Sequence, residues 1–275
     1  MIWFNLIFAF VLGSIVGSFL NVVALRFRTG LSPFSGRSKC FVCGKTLHFY
    51  ELIPVLSFLF LFGRCSKCRS KISWRYPLIE IITGFLFVGI LLKTEMFLAI
   101  GFWQFVLAFL YLSAVWGILT VIVLYDIKHK IIPDILVFAF CALSLLQGFM
   151  GGMTDFLYTL LAGVLICMPF YFLWLISSGK WIGLGDSKLA FGIGCFLGIS
   201  GGLSAVALAF WIGAVFGLLF IFVSKYLPRK YGLSLFTKHL TIKSEIPFAP
   251  FLILGTALVF FFGVQVFDFV GIMSF

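Results

Sequence analysis

Charge is what this sequence has least of. Only nine of its 275 residues are acidic, charged residues of both signs make up 11%, and there are three histidines. A soluble domain of this length covers itself with far more polar surface. Here hydrophobic residues reach 63% and mean hydropathy is +1.20, more apolar area than a core of this size can hide. Internal repeats and low-complexity tracts are missing, and so is a soluble-type glycine-rich nucleotide fingerprint, which excludes a familiar class of cofactor site. The opening MIWFNLIF has no basic residue and no small-residue cleavage site after it, so it reads as a membrane span rather than a secretory signal.

What remains is a chain whose solvent is lipid. A hydrocarbon layer about 30 Å thick is crossed by about 20 apolar residues in helical form. Candidate spans fall at 3–24, 77–93, 102–125, 131–149, 156–177, 187–200, 203–224 and 247–270. The sequence therefore predicts an all-α polytopic membrane protein of about eight transmembrane helices. Ten of its twenty basic residues lie between Arg26 and Arg75, and most of the others, such as Lys128, Lys130, Lys180, Lys188, Arg229, Lys230, Lys238 and Lys243, fall in or beside alternate loops. The positive-inside rule then puts the N-terminus outside and the 25–76 insertion in the cytoplasm, with the 126–130, 178–186 and 225–246 segments beside it. Three parts are expected: a first span at 1–24, a small cytoplasmic subdomain at 25–76, and a membrane domain at 77–275. Within the insertion, Leu52–Phe62 is too short and too interrupted by Pro54 to span, and reads as an interfacial or packed helix. The basic loops follow from topology and suit anionic membrane lipid, not nucleic acid; the residues specify no oligomeric state.

Four of the seven cysteines stand as Cys40-Phe-Val-Cys43 and Cys65-Ser-Lys-Cys68, two C-x2-C pairs separated by 21 residues. Two such knuckles can place four thiolates around zinc in a closed, structural site, and Lys39, Lys45, Arg64, Lys67 and Arg69 would offset its negative charge. The alternative is two disulfides or free thiols, and the reducing cytoplasm disfavours the bridges. Cys141, Cys167 and Cys195 lie in apolar spans and read as packing residues.

Scarcity lets each acid be weighed singly, because an ionisable group at membrane depth is costly. Glu95, Asp155 and Asp268 sit at outer ends, Glu245 lies in a basic loop, and Asp134 follows Pro133 where an acid suits a helix N-terminus. Asp126 and Asp186 are 60 residues apart in sequence, yet the topology brings both to the cytoplasmic face. Two carboxylates close together cannot both ionise easily, and such a pair can activate water against a peptide carbonyl. The plainer reading makes them helix-boundary charges neutralised by Lys128 and Lys188. Gly183 and Gly185, in Gly-Leu-Gly-Asp186, would let backbone approach the carboxylate closely. A proton-coupled transporter would instead place its acids near the midplane.

Taken together, these motifs resemble those of the bacterial type IV prepilin peptidases, bifunctional leader peptidase and N-methyltransferase enzymes of the GxGD aspartic class. The matching pieces are Gly17-Ser-Phe-Leu-Asn-Val-Val, the paired C-x2-C motifs, Glu51-Leu-Ile-Pro-Val-Leu-Ser57, Ile72-Ser-Trp-Arg-Tyr-Pro-Leu-Ile-Glu80, the Asp126 segment ending in Ile-Pro-Asp134, and Gly-Leu-Gly-Asp186-Ser-Lys. The resemblance runs in order from about residue 17 to 190, and the final third carries only apolar similarity. It implies that Asp126 and Asp186 are the catalytic pair. It also implies prepilin or pseudopilin substrates cut after a glycine at the inner-membrane surface, and methylation of the new N-terminal amine with S-adenosylmethionine. For that second reaction Glu51, Glu80 and Arg75 are candidates, their alternative role being a salt bridge bracing the subdomain. A GxGD peptidase without methyl transfer is the competing expectation.

Overall fold

The computed structural model describes residues 2–30, 32–226 and 247–267. Arg229, Lys230, Lys238, Lys243, Glu245 and Asp268 lie outside the described residues, as does the end of the last expected span. The described chain is helical: α1 (Ile2–Arg26), α2 (Leu56–Phe60), α3 (Arg75–Leu98), α4 (Phe102–His129), α5 (Asp134–Met150), α6 (Met153–Ser177), α7 (Leu184–Tyr226) and α8 (Ala249–Phe262), with one 3-10 turn at Phe49–Leu52. Among the described residues there is no β-strand, only two isolated bridges. Five helices, α1, α3, α4, α6 and α7, are long and apolar enough to cross a membrane, while α5 and α8 are shorter apolar helices.

The spans expected at 187–200 and 203–224 are joined without a loop. Both belong to α7, which is interrupted at Gly198, where φ is 74° and ψ is −174°. That combination is open essentially to glycine alone, so the break is dictated by one residue. It falls inside the sixth expected segment, because periodicity in an all-apolar run cannot mark a single non-helical residue.

The chain divides into two compact units, Met1–Tyr125 and Asp126–Phe275, and the boundary falls inside α4. In the first unit α1 packs on α3 through small residues. A Cβ added at Gly13 would sit 2.6 Å from the Thr83 carbonyl oxygen, and one at Gly84 would collide with Phe10 and Ser14. Lipid gives helices no hydrophobic reason to associate, so such close backbone approach supplies the dispersion contact instead. The same unit contains the polar insertion. In the second unit α5, α6 and α8 pack against α7, again backbone to backbone: a Cβ at Gly194 would lie 2.6 Å from the Ala162 carbonyl oxygen.

Candidate active site

α4 ends in Lys128, a cation that suits a helix C-terminus, and His129, and Lys130 closes it with a left-handed φ of 55° and an N–H bonded to the Asp126 carbonyl oxygen at 2.7 Å. Asp126 is thus held one turn inside the helix end. Asp186 stands in the first turn of α7, where unpaired backbone N–H groups favour an anion. Both carboxylates line one cavity of about 700 Å³ in the second unit, together with Lys130, Asp134, Lys180 and Lys188.

Of the glycines beside Asp186, Gly185 has a steric reason and Gly183 does not. A Cβ at Gly185 would come within 3.0 Å of the Ile132 side chain, and one at Gly183 would stand 3.4 Å from Asp186 Oδ2. The turn between α6 and α7 can therefore pass close to the segment between α4 and α5. Lys188 does not neutralise Asp186. Its Nζ lies 2.7 Å from Asp134 Oδ1 and 5.4 Å from the Phe138 ring centre, so it ties the first turn of α7 to the first turn of α5. Asp126 is 4% exposed, and its Oδ2 has no hydrogen-bond partner among the described residues. A buried carboxylate oxygen left bare is costly, and such groups concentrate where chemistry needs them.

In the first unit the two cysteine knuckles repeat one geometry. Cys40 N–H bonds the Lys45 carbonyl and Gly44 N–H bonds that of Cys40; Cys65 N–H bonds the Ser70 carbonyl and Arg69 N–H bonds that of Cys65. The left-handed corner falls on Gly44 (φ 67°) in one and on Arg69 (φ 57°) in the other. The bridges Lys39 with Thr46 and Arg64 with Lys71 close the two loops alike.

All four sulfurs lie within 4.8 Å of one another, and Cys40 Sγ is 3.8 Å from Cys68 Sγ. Ligands about 2.3 Å from a tetrahedral zinc are separated by about 3.8 Å, so the donor set fits that ion, and none of the cysteines is in a disulfide.

Glu51 joins the two knuckles. Its Oε1 accepts Lys45 Nζ at 2.8 Å and the Ser66 hydroxyl, and its Oε2 accepts the His48 N–H at 2.8 Å. Lys45 and these partners hold its carboxyl down at about 2. The sequence marks Lys45 only as a charge beside the thiolates and gives Ser66 no role of its own.

A second cavity, about 600 Å³, lies in this unit and is lined by Arg26, Arg37, Cys40, Glu51, Tyr76 and Glu80, among others. Glu80 is buried, and its Oε2 accepts the Val55 N–H at 2.8 Å. Arg75 is exposed at the start of α3 and does not line that cavity.

Two family models match the chain: the Bacterial Peptidase A24 N-terminal domain over residues 11–94 and the Type IV leader peptidase family over residues 113–218. The prepilin leader peptidase/N-methyltransferase of Burkholderia pseudomallei (strain 1026b) is 31% identical over 289 residues, covering 94% of this chain and 86% of that protein. The chain belongs to the type IV leader peptidase family. The protein of the same name from Bacillus subtilis (strain 168) is 29% identical over 94% of this chain and 95% of its own length. That from Myxococcus xanthus (strain DK1622) is 34% identical over 78% of this chain, which spans 63% of that relative. No solved structure matches. The N-terminal family model takes in the cysteine tetrad, Glu51, Arg75 and Glu80; the leader peptidase model takes in Asp126, Asp134, Asp186 and Lys188.

Proposed function

We propose that this inner-membrane enzyme removes the leader peptide of type IV prepilins or pseudopilins and methylates the N-terminal residue so exposed. The observation that carries the reading is the shared cavity at the end of α4 and the start of α7, into which Asp126 and Asp186 both bring a carboxylate. One carboxylate, ionised, takes a proton from water while the water oxygen attacks the scissile carbonyl carbon. The other, protonated, gives its proton to the carbonyl oxygen. Collapse of the tetrahedral intermediate breaks the C–N bond, and a proton passes to the departing nitrogen. The products are a leader carboxylate and a mature chain with a free amine. The distribution of basic residues favours an N-terminus outside and the 25–76 segment, with both aspartates, at the cytoplasmic face.

For methyl transfer the first unit offers a cavity in the range of about 300–1,000 Å³ usual for small-molecule sites, with cations and buried acids in its wall. S-adenosylmethionine, when bound, supplies an electrophilic methyl group. Arg37 and Arg26 suit its carboxylate, and Glu80 is the better-placed base for the substrate ammonium, since Glu51 is saturated by its partners. Zinc on Cys40, Cys43, Cys65 and Cys68 would hold the wall of that cavity together without taking part in the chemistry. The division of labour is then the 25–76 subdomain with Glu80 at the head of α3 for methyl transfer, and the rest of 77–275 for cleavage, with 1–24 as the first anchor.

The test is a prepilin incubated with the purified protein in lipid nanodiscs and labelled S-adenosylmethionine. Cleavage after the leader glycine and label in the mature chain are expected. Glu80→Gln should lose the label and keep the cut, and zinc removal should do the same. An uncut prepilin would refute the peptidase reading, and an unlabelled mature chain the second activity.

A further inference from the structure

The segment from the first cysteine pair to the head of α3 carries more exposed apolar surface than a water-facing domain should. Phe60 is 78% exposed, Phe62 is 86% and Trp74 is 71%, with Leu56 and Leu59 half exposed beside them. Phe62 also holds a left-handed φ of 51°, a conformation that costs a bulky residue energy. In water both the exposed ring and the backbone strain are penalties.

The rings are fixed relative to a spanning helix. Trp74 immediately precedes α3, and its exposed neighbours on that helix, Leu78 and Ile82, follow at intervals of four, so the three mark one face that continues into the apolar length of α3. Phe58, buried, packs edge-on against Trp74 with ring centres 4.6 Å apart. Gly63 N–H bonds the Phe58 carbonyl, and Ile72 N–H bonds the Gly63 carbonyl at 2.7 Å. A Cβ at Gly63 would lie 2.9 Å from the Phe58 ring. α2, the second cysteine knuckle and the head of α3 are thereby locked into one piece, with Leu59, Phe60 and Phe62 on its outside.

Charge names what covers this surface. No acid occurs between Glu51 and Glu80, whereas Arg64, Lys67, Arg69, Lys71 and Arg75 are all exposed there. Among the described residues none of these cations is in a salt bridge. Aromatic rings beside exposed cations that no carboxylate pairs, at the mouth of a membrane-crossing helix, match the interfacial layer of an anionic bilayer. We propose that Leu59, Phe60, Phe62 and Trp74 form a wedge seated among the lipids, with Arg64, Lys67, Arg69, Lys71 and Arg75 meeting anionic phospholipid headgroups. The cysteine subdomain is then held against the membrane instead of hanging free in the cytoplasm.

The experiment places photoreactive p-benzoyl-L-phenylalanine at position 60, and separately at 62, of the full chain; both side chains are exposed, so no buried contact is lost. The same group at position 78, on α3, serves as the lipid-facing standard. After irradiation in nanodiscs containing phosphatidylglycerol, mass spectrometry should find lipid adducts at 60 and 62 in yields within about threefold of those at 78. In phosphatidylcholine discs, or at high salt, the yields at 60 and 62 should fall severalfold while 78 stays constant. Adducts at 78 with none at 60 and 62 would overturn the proposal. Adducts joining two copies of the chain would overturn it in favour of a protein interface. Yields indifferent to lipid charge would overturn the headgroup contacts.

Discussion

Glu51 and Asp126 are equally hidden, at 7% and 4% exposure, and could hardly be treated more differently. Around Glu51 an ammonium, a hydroxyl and a backbone N–H account for both oxygens. Asp126 keeps one oxygen bare and faces a cavity that a second aspartate also lines. A fully hydrogen-bonded carboxylate is a brace: it loses reactivity and gains stability. An under-bonded one in an electrostatically crowded cavity is destabilising and reactive, the usual compromise at catalytic positions. The comparison separates the acids by what surrounds them, which their burial alone does not.

Three measurements would break or sharpen it. The largest effect is expected from Asp126→Asn and Asp186→Asn, each of which should slow prepilin cleavage by about 10²–10⁴-fold, the span typical of losing an acid–base group. Folding, followed by detergent-solution melting, should be unchanged or improved for Asp126→Asn, because an under-bonded buried charge is removed. Cleavage at a tenth of the normal rate or better would end the assignment. Glu51→Ala should act in the opposite sense. It strands Lys45 and Ser66, costs about 1–3 kcal/mol of local stability and speeds zinc loss to a chelator, while cleavage stays within a few-fold of normal. A variant that melts and holds zinc like the parent would show that the brace is idle. Smallest is the Asp134–Lys188 pair, which is partly exposed and so contributes about 0–1 kcal/mol. Asp134→Lys should reduce cleavage by a few-fold, and Lys188→Asp added to it should restore part of the loss. No recovery in the double variant would mean the two charges act separately.

Much of this was legible from residue order. Long apolar runs announce spans because lipid tolerates little else, and the C-x2-C pairs announce a tetrad because thiolate chemistry fixes their spacing. The aspartates stood out as candidates because acids are so rare here. The partners were not. Lys45 and Ser66 belong to opposite knuckles, and only folding brings them to one carboxylate. Lys188, two residues from Asp186, looked like its counter-ion, but on the helix it turns to Asp134 on α5. Proximity in sequence along a helix is a poor guide to which charges meet. Gly198 was equally silent, one glycine among 28, whose backbone angles become exceptional only in three dimensions.

That single residue has a mechanical consequence. The portion of α7 that carries Asp186 is a short rod of its own, joined to the remainder of the helix by dihedrals no other amino acid holds comfortably. The rod's direction is therefore set by what it packs on, Gly192 against Phe140 of α5 and Gly194 against Ala162 of α6, and not by the axis of the longer half.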